Sequence, residues 1–448
     1  MMLSVMVVGA GAAFSDQSKI KNTEAVDACT ALNIIGGYPD GSFKPEGNIT
    51  RAEVTKMICV ALNGGKNPAV STNTTPTFSD VRNNANAAWA EGYIESCAAQ
   101  GIVSGVGGGK FAPNGNVTGV QLAKMLLVSL GYKSENEGFT GNAWATNVNV
   151  RAAQKGLYDG LEKMDTSAAL TRDNAAQMVW NALNAYEVEY KTTLVADSKG
   201  QLSSQITVQD KVVGSTNDKI TLLRDKYDAW TNVGTLTNVS KKTIKISMNS
   251  ADRAASDLYN KDVQSSGPQT LDFSKLDTDY SALLGQKVKA VYKYDKNAKE
   301  NTVYGIFATD SEVILSGVIG NLPTIAADSE ATSFKLSGTT YKTDKMIKET
   351  PVYQYSPNKD ALIKSNSNLD DVVNATVSVT VGEETKQVAG KYASLKFDAV
   401  DYDGNGKIDF FMVYPVSVAK VTAVSKSNVK LQAVATLGKD VNTSVDVD

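Results

Sequence analysis

The sequence predicts a multidomain chain of two textures, an α-helical repeat region over the first 190 residues followed by small all-β domains. Three observations predict it. One motif recurs three times before residue 190. Beyond it, apolar residues alternate with Thr, Ser, Lys and Asn at the period of a strand, and two long hairpin segments in that half are alike. At 448 residues the chain exceeds one hydrophobic core and suits about three domains.

Self-similarity sets the architecture before any single element is read. Copy one, assigned to residues 14–75, runs from Phe14-Ser15-Asp16 through GGYPDGSFKPEGNITRAEVTKMICVALN. Copy two, 76–132, runs from Phe78-Ser79-Asp80 through SGVGGGKFAPNGNVTGVQLAKMLLVSLGY. Copy three, 133–190, begins near Phe139, repeats Ala88-Trp89-Ala90 as Ala143-Trp144-Ala145, and ends in LTRDNAAQMVWNALNAY.

Each copy reads as helix, Gly-rich turn, helix. In WAEGYIESCAAQGI the residues Trp89, Tyr93, Ile94, Cys97 and Ala98 share one helical face. Gly36, Gly37, Pro39 and Gly41 then impose a loop, since glycine supplies positive φ and proline lacks a donor. The second helix opens on a capping box, Thr50-Arg51-Ala52-Glu53, in which the Thr50 hydroxyl accepts from the Glu53 N–H and the Glu53 carboxylate accepts from the Thr50 N–H. Thr118-Gly119-Val120-Gln121 repeats it, and Thr171-Arg172-Asp173-Asn174 keeps the cap with a weaker reciprocal partner. A single helix pair leaves an apolar face uncovered, so the three copies are expected to close around a shared core.

Composition narrows the function classes. A net charge of -3 gives no reason to expect nucleic acid or an anionic membrane as partner. The chain has no histidine, which removes the commonest general base and zinc ligand and every Ser-His or Cys-His pair. MMLSVMVVGAGAA, residues 1–13, is an apolar run ending in small residues and reads as a secretory signal remnant, the alternative being an ordinary buried strand. No other stretch approaches the roughly 18 apolar residues of a membrane helix.

FSD, GYPDGSF and ITRAE at the head of a helix, in that order and repeated, resemble the S-layer homology (SLH) family over about 40% of the chain. The resemblance implies a pseudo-threefold bundle of three SLH repeats that binds secondary cell-wall polysaccharide, often bearing pyruvate ketals, in grooves between repeats. It also implies a secreted protein of a Gram-positive-type cell wall or S-layer, with self-association in a surface lattice.

A helix N-terminus offers unpaired N–H groups and a partial positive charge, and Arg51 and Arg172 directly after the caps add a bidentate donor, so the polymer's carboxylates are expected there. The bland alternative is an arginine paired with a neighbouring acid. Copy two has Gly119 at that position and is expected to bind poorly. Trp89 and Trp144 hold equivalent places, to stack on a sugar ring or to pack in the core. Asp16 and Asp80 either accept sugar hydroxyls or act as caps and turn residues. Cys29 and Cys97 fall in register and Cys59 stands where the other copies have Leu127 and Trp180, so all three read as small buried residues with free thiols, the alternative in a secreted chain being one disulfide, since three cysteines cannot all pair within the molecule.

In the second half, residues 191–314 and 315–415 read as two β-domains and 416–448 as the start of a third unit or a tail. TLTNVSKKTIKI from Thr235 reads as a hairpin turning at Ser240-Lys241-Lys242, and the segments from Lys287 and Tyr392 as two copies of a longer one. In the second, Asp401, Asp403, Asn405, Lys407 by its backbone carbonyl, and Asp409 follow the first nine positions of a calcium-binding EF loop. Met412 stands at the twelfth, where a bidentate Glu belongs, so the loop reads as a Gly-rich hairpin turn with weak Ca2+ binding as the alternative. No other cofactor is expected. A wall-anchored glycan hydrolase would need paired carboxylates in a cleft with aromatic platforms, and residues 191–448 hold a single tryptophan, Trp230, and no acid-pair motif. The reading is therefore a structural surface protein rather than an enzyme, with an SLH-anchored hydrolase or adhesin as the alternative.

Overall fold

The computed structural model describes residues 14–68, 75–196, 201–214, 218–240, 242–258, 269–274, 276, 278–309, 311–326, 328–356, 361–381, 383–414, 418–424, 429–435 and 444–445. The expected signal segment at 1–13 lies outside them.

The three copies carry six helices: α1 (Thr23–Ala31) and α2 (Arg51–Leu62), α3 (Glu91–Ala99) and α4 (Gly119–Ser129), α5 (Trp144–Gln154) and α6 (Arg172–Asn184). Each second helix begins one residue after its threonine. Glu53 accepts from the Thr50 N–H at 2.9 Å and Gln121 from the Thr118 N–H at 3.0 Å, completing both boxes, while Thr171 accepts from the Asn174 N–H at 3.3 Å.

The extended residues before the caps pair in a closed ring. Ile49 N–H donates to Leu170 O (2.9 Å), Leu170 N–H to Val117 O (2.8 Å), and Val117 N–H to Ile49 O (3.1 Å). Copy one therefore closes directly on copy three. Val54 and Ile58, Leu122 and Leu126, and Ala175 and Val179 from the three second helices fall into one buried core, where a Leu- or Ile-sized side chain contributes roughly 1.5–3 kcal/mol. The first helices interleave: α3 packs on α2, α5 on α4, and α1 on α6, so each lies on the second helix of the preceding copy around the ring.

The compact helical unit continues through Thr231 and takes in residues 290–307. It includes the antiparallel hairpin β1 (Val188–Ala196) and β2 (Leu202–Asp210), the short pair β3 (Val212–Val213) and β4 (Asp218–Lys219), and α7 (Leu222–Tyr227), capped by Thr221. Leu222, Leu223 and Tyr227 join the helical core together with Val291 and Phe307. The edge expected at residue 190 is thus not the edge of this unit, because its core needs apolar residues from the segment assigned to the first β-domain.

The second unit holds residues 232–289 and 308–448. The hairpin expected from Thr235 is formed by β5 (Ala229–Ser240) and β6 (Thr243–Met248), with Ser240 opposite Thr243; Lys241 of its turn lies outside the described residues. After α8 (Ser250–Ala254), β7 (Gln269–Ser274) pairs with β6. Of the two longer hairpins the sequence suggested, β8 (Lys287–Asp295) with β9 (Glu300–Ala308) has its residues 290–307 in the helical unit, and β17 (Lys396–Asp401) with β18 (Phe410–Tyr414) belongs to the second.

Strand β10 (Glu312–Val318) precedes two hairpins, β11 (Ser333–Leu336) with β12 (Thr339–Lys342) and β13 (Pro351–Ser356) with β14 (Ala361–Asn368). Helix α9 (Leu369–Val373) and the hairpin β15 (Thr376–Val381) and β16 (Glu384–Ala389) follow. Strands β17 (Lys396–Asp401) and β18 (Phe410–Tyr414) complete a five-stranded sheet of order β10-β17-β18-β13-β14, antiparallel except for β13 beside β18. The boundary expected between residues 314 and 315 falls inside β10, whose pairing with β17 runs from Glu312 opposite Asp401 to Val318 opposite Lys396. Val352, Phe397, Phe411 and Val413 fill the core on one face. Strands β19 (Val418–Val424), β20 (Val429–Ala435) and β21 (Ser444–Val445) form a separate sheet in the tail.

Candidate functional site

The first-turn N–H groups that sequence reasoning offered to a carboxylate are already spent. Arg51 N–H donates to Gly115 O and Ala52 N–H to Pro113 O, both at 2.9 Å, and Glu53 N–H to Thr50 Oγ1 at 3.3 Å. In copy three, Arg172 N–H donates to Gly47 O (2.9 Å) and Asp173 N–H to Pro45 O (3.1 Å). The free helix end expected at each cap is corrected by this geometry: the loop of a neighbouring copy supplies the acceptors, as burial of a helix terminus requires.

The two arginines are built into the same joints. Arg172 is 8% exposed; its Nε donates to Phe43 O (2.9 Å), its Nη2 to Gly36 O (3.3 Å), and its Nη1 lies 3.4 Å from Glu53 Oε1. The guanidinium lies over the rings of Tyr38 and Phe43, 4.7 and 5.0 Å from their centroids. Arg51 repeats the pattern one joint on, with Nε to Phe111 O (2.9 Å), Nη2 to Ser104 O (2.8 Å) and the Phe111 ring at 4.4 Å. Burial pulls its pKa below the ordinary range. At the third joint a Cβ on Gly119 would lie 3.1 Å from both Met164 Cε and Thr166 Cα, so the copy-three loop takes the space an arginine fills elsewhere.

Asp16 accepts from the N–H groups of Phe43 (2.8 Å) and Lys44 (2.9 Å), and Asp80 from those of Phe111 and Ala112 (both 2.8 Å). Each carboxylate clasps the loop whose next carbonyl receives an arginine. Their oxygens are thus engaged as turn acceptors.

Beside the joint of Arg172 lies a groove of about 470 Å³ whose lining includes Tyr38, Glu53, Lys56, Asn86, Trp89 and Arg172. Tyr38 comes from the Gly-Tyr-Pro loop, Glu53 and Lys56 lie three residues apart on α2, and Asn86 and Trp89 precede α3. Tyr38 Oη donates to Glu53 Oε1 at 2.6 Å. Burial, aided by this carboxylate, pushes the Tyr38 phenol up to about 12. Burial would raise the Glu53 carboxyl, but the hydrogen bonds from Tyr38 and Thr50 outweigh it and hold the group low.

Trp89 is 48% exposed, and its indole N–H is used on Asn86 O (3.0 Å), so what it offers the groove is ring surface. Lys56 Nζ is 5.8 Å from that ring's centroid. Trp144, its counterpart, is half-buried against the helical core with Lys124 Nζ at 5.6 Å. The groove thus brings together Trp89 and Arg172 of the expected residues. Arg51 is at the next joint, and Asp16 and Asp80 are in the clasps. Tyr38, Lys56 and Asn86 were missed, although Lys56 and Lys124 recur at the same distance from their caps, a signal as legible as that of the tryptophans.

In the second unit, the loop between β17 and β18 folds on its own acceptors. Asp401 is buried and accepts from Gly404 N–H (2.8 Å) and Gly406 N–H (2.7 Å), Asn405 Oδ1 from Lys407 N–H (2.9 Å), and Asp409 Oδ2 from Tyr402 N–H (2.7 Å). One oxygen each of Asp401, Asp403 and Asp409 lie within 4.8 Å of one another. Burial and the neighbouring carboxylates push the Asp409 carboxyl above its ordinary range. Met412 is buried in β18 among Val400 and Phe410 and presents no ligand. Asp344, which spacing could not reveal, stands 3.2 Å from Lys407 Nζ.

Cys29, Cys59 and Cys97 are buried free thiols. Among the described residues no helix is long and apolar enough to cross a membrane.

Comparison with known proteins agrees with the helical geometry. Residues 13–55 and 77–123 match the S-layer homology domain. The chain is 23% identical over 299 residues to a surface layer protein of Brevibacillus choshinensis, covering 65% of this chain and 24% of that one. It is 38% identical over 159 residues to a cellulosome-anchoring protein of Acetivibrio thermocellus (33% of this chain, 34% of the relative), and 29% identical over 174 residues to an exoglucanase, XynX, of the same species (36% and 15%). The chain therefore spans about a quarter of the surface layer protein and a third of the anchoring protein. Repeats matched by the family model, carried on capped helix pairs and shared with surface-layer proteins, make this an SLH-containing protein of the surface-layer type, located at the cell wall or S-layer.

Proposed function

We propose that the helical unit anchors the chain to a secondary cell-wall polysaccharide carrying acidic, pyruvylated sugars, and that the β-domains form an exposed body able to associate laterally in a lattice. The carrying observation is the groove, in which an exposed indole face, the Lys56 ammonium and the Arg172 guanidinium border one concavity. Such a set suits a flat polar ring with a carboxylate on its edge: the ring stacks on Trp89 while the cations attract the charge. Arg172 lends positive charge while holding its joint, and Arg51 holds the same place at the next. The closed ring of Ile49, Val117 and Leu170 supports reading the three copies as a pseudo-threefold bundle.

The rival reading, an anchored hydrolase, finds less support, since Glu53 is tied to Thr50, Tyr38 and Arg172 rather than poised beside a second carboxylate. The convergence of Asp401, Asp403 and Asp409 favours a subordinate reading of their loop as a weak calcium site that also draws on Asn405 and the Lys407 carbonyl.

The test is co-sedimentation of the full chain with purified cell walls. Trp89→Ala and Lys56→Ala should each weaken binding about tenfold, the equivalent of about 1.4 kcal/mol, without changing the melting temperature. Removing pyruvate from the walls should weaken the parent to the level of Lys56→Ala. A double variant that sediments as the parent does would refute the groove as the binding site.

A further inference from the structure

The hairpin of β1 and β2 is tied down at its base. Val188 N–H donates to Leu130 O (2.8 Å), and Tyr190 Oη donates to Glu137 Oε1 (2.8 Å) while accepting from the Lys133 N–H (3.0 Å). Lys155 Nζ donates to Asp210 Oδ1 (2.7 Å), and Val208 packs against the helical core. Farther out, every residue from Lys191 to Val195 and from Gln201 to Thr207 is exposed. The register, Thr192 opposite Ile206 and Leu194 opposite Ser204, puts Leu194, Leu202 and Ile206 on the face that begins with Val208. These three are 69%, 69% and 58% exposed. The sheet has two strands, so among the described residues the outer edge of β2 pairs with nothing. Such an edge is commonly blunted by charge, proline or a bulge; here Gln201 to Gln209 hold no charged residue and no proline, and the pairing of β2 with β1 runs without a shift.

We infer that this edge pairs with the same edge of a second copy of the chain, β2 running antiparallel to β2 about Ser204. The strand is self-complementary there: Ser204 meets Ser204, Ser203 meets Gln205, and Leu202 meets Ile206 twice. Opposed residues sit about 5 Å apart, so the two Leu202–Ile206 pairs join the apolar faces into one surface across four strands. Charge selects the edge. Strand β1 carries Glu189 and Lys191, whereas two β2 strands meeting between Gln201 and Thr207 bring no charge against its like. The added strands also supply what a two-stranded ribbon clear of a core lacks for stability. Size selects the occupant: a seam this short buries far less than the roughly 800 Å² per partner of a stable complex. It therefore holds only partners already crowded together, as copies fixed side by side on one surface are. The contact belongs to the helical unit, so it adds to the lateral association of the β-domains and does not depend on it.

The test is cross-linking of the full chain in solution through Ser204→Cys under mild oxidation with oxidised glutathione. The native thiols are buried and do not compete. A dimer joined through position 204 should appear on non-reducing electrophoresis, its yield rising with protein concentration. Thr193→Cys, on the strand away from the seam, should stay largely monomeric. In sedimentation velocity, Ser204→Lys sets two ammonium groups opposite each other and should weaken self-association about fivefold, with an unchanged melting temperature. No cross-link through position 204 at the highest soluble concentration, an equal yield from Thr193→Cys, or self-association that Ser204→Lys leaves intact overturns the inference.

Discussion

Removing the Arg172 side chain should destabilise the helical unit before it says anything about binding. In Arg172→Ala the buried Phe43 carbonyl loses its 2.9 Å donor and Gly36 O its 3.3 Å donor, and the guanidinium no longer covers Tyr38 and Phe43. An orphaned buried acceptor costs about 1–3 kcal/mol, and a cation over an aromatic face about 0.5–2 kcal/mol. Glu53 adds little, because its pairing distance is 3.4 Å and Thr50 and Tyr38 still hold it. Together these losses come to about 3 kcal/mol, which lowers the melting temperature of a unit of this size by about 9 °C. Arg172→Lys should recover roughly half, since an ammonium can serve one carbonyl but lacks the planar fork that spans two. Arg51→Ala, less buried, should cost about 1–2 kcal/mol. Scanning calorimetry of the three variants measures this. If Arg172→Ala melts within about 2 °C of the parent, the joint does not depend on this side chain and the assignment of its hydrogen bonds as structural is wrong.

Two further outcomes are expected. Should the Asp401 loop hold calcium, several millimolar Ca2+ will raise the melting temperature of the second unit and Asp403→Ala will abolish the rise; an unchanged melting curve assigns the loop to the plain hairpin turn. Burial pushes the Asp27 carboxyl from 3.8 up to about 6, against a hydrogen bond from Gln17. The folded state therefore holds a proton that the unfolded state lacks between those two values, so stability should rise as pH falls through that window. Asp27→Asn should flatten the slope and stabilise the protein at pH 7 by about 1–2 kcal/mol after discounting for partial exposure, read as melting temperature against pH.

The capping boxes were legible because a threonine hydroxyl and the N–H three residues on are neighbours in any helix start, whatever surrounds them. The same locality made the hairpins at Thr235, Lys287 and Tyr392 readable from alternation and turn residues. What the arginines touch was not local: Phe43 and Gly36 lie 129 and 136 residues before Arg172. Periodicity told which face of α3 is apolar but not that α2 of the preceding copy would cover it. Trp89 and Trp144 show the limit of register, since equivalent positions ended as an exposed platform and a half-buried core neighbour. The extension of the helical core to Tyr227, Val291 and Phe307 was hidden because strand-like alternation does not say which core a strand serves.

The ring through Ile49, Val117 and Leu170 makes copy number a discrete quantity. An open stack of repeats can gain or lose a member at either end and keep its internal interfaces. Here every member is flanked on both sides, so deleting one leaves two carbonyl edges that no longer face each other, and inserting one leaves no gap of the right width. Timing follows from the same closure. Ile49 donates to a carbonyl more than a hundred residues downstream, a wait of about 6 to 25 s at ordinary synthesis rates. Through that interval α2 can rest on α3 and α4 of copy two but not on α6, so its apolar side is only partly covered. A chain that must cross a membrane before folding turns this delay to use: until the third threonine has been threaded through, there is no finished bundle to jam the passage.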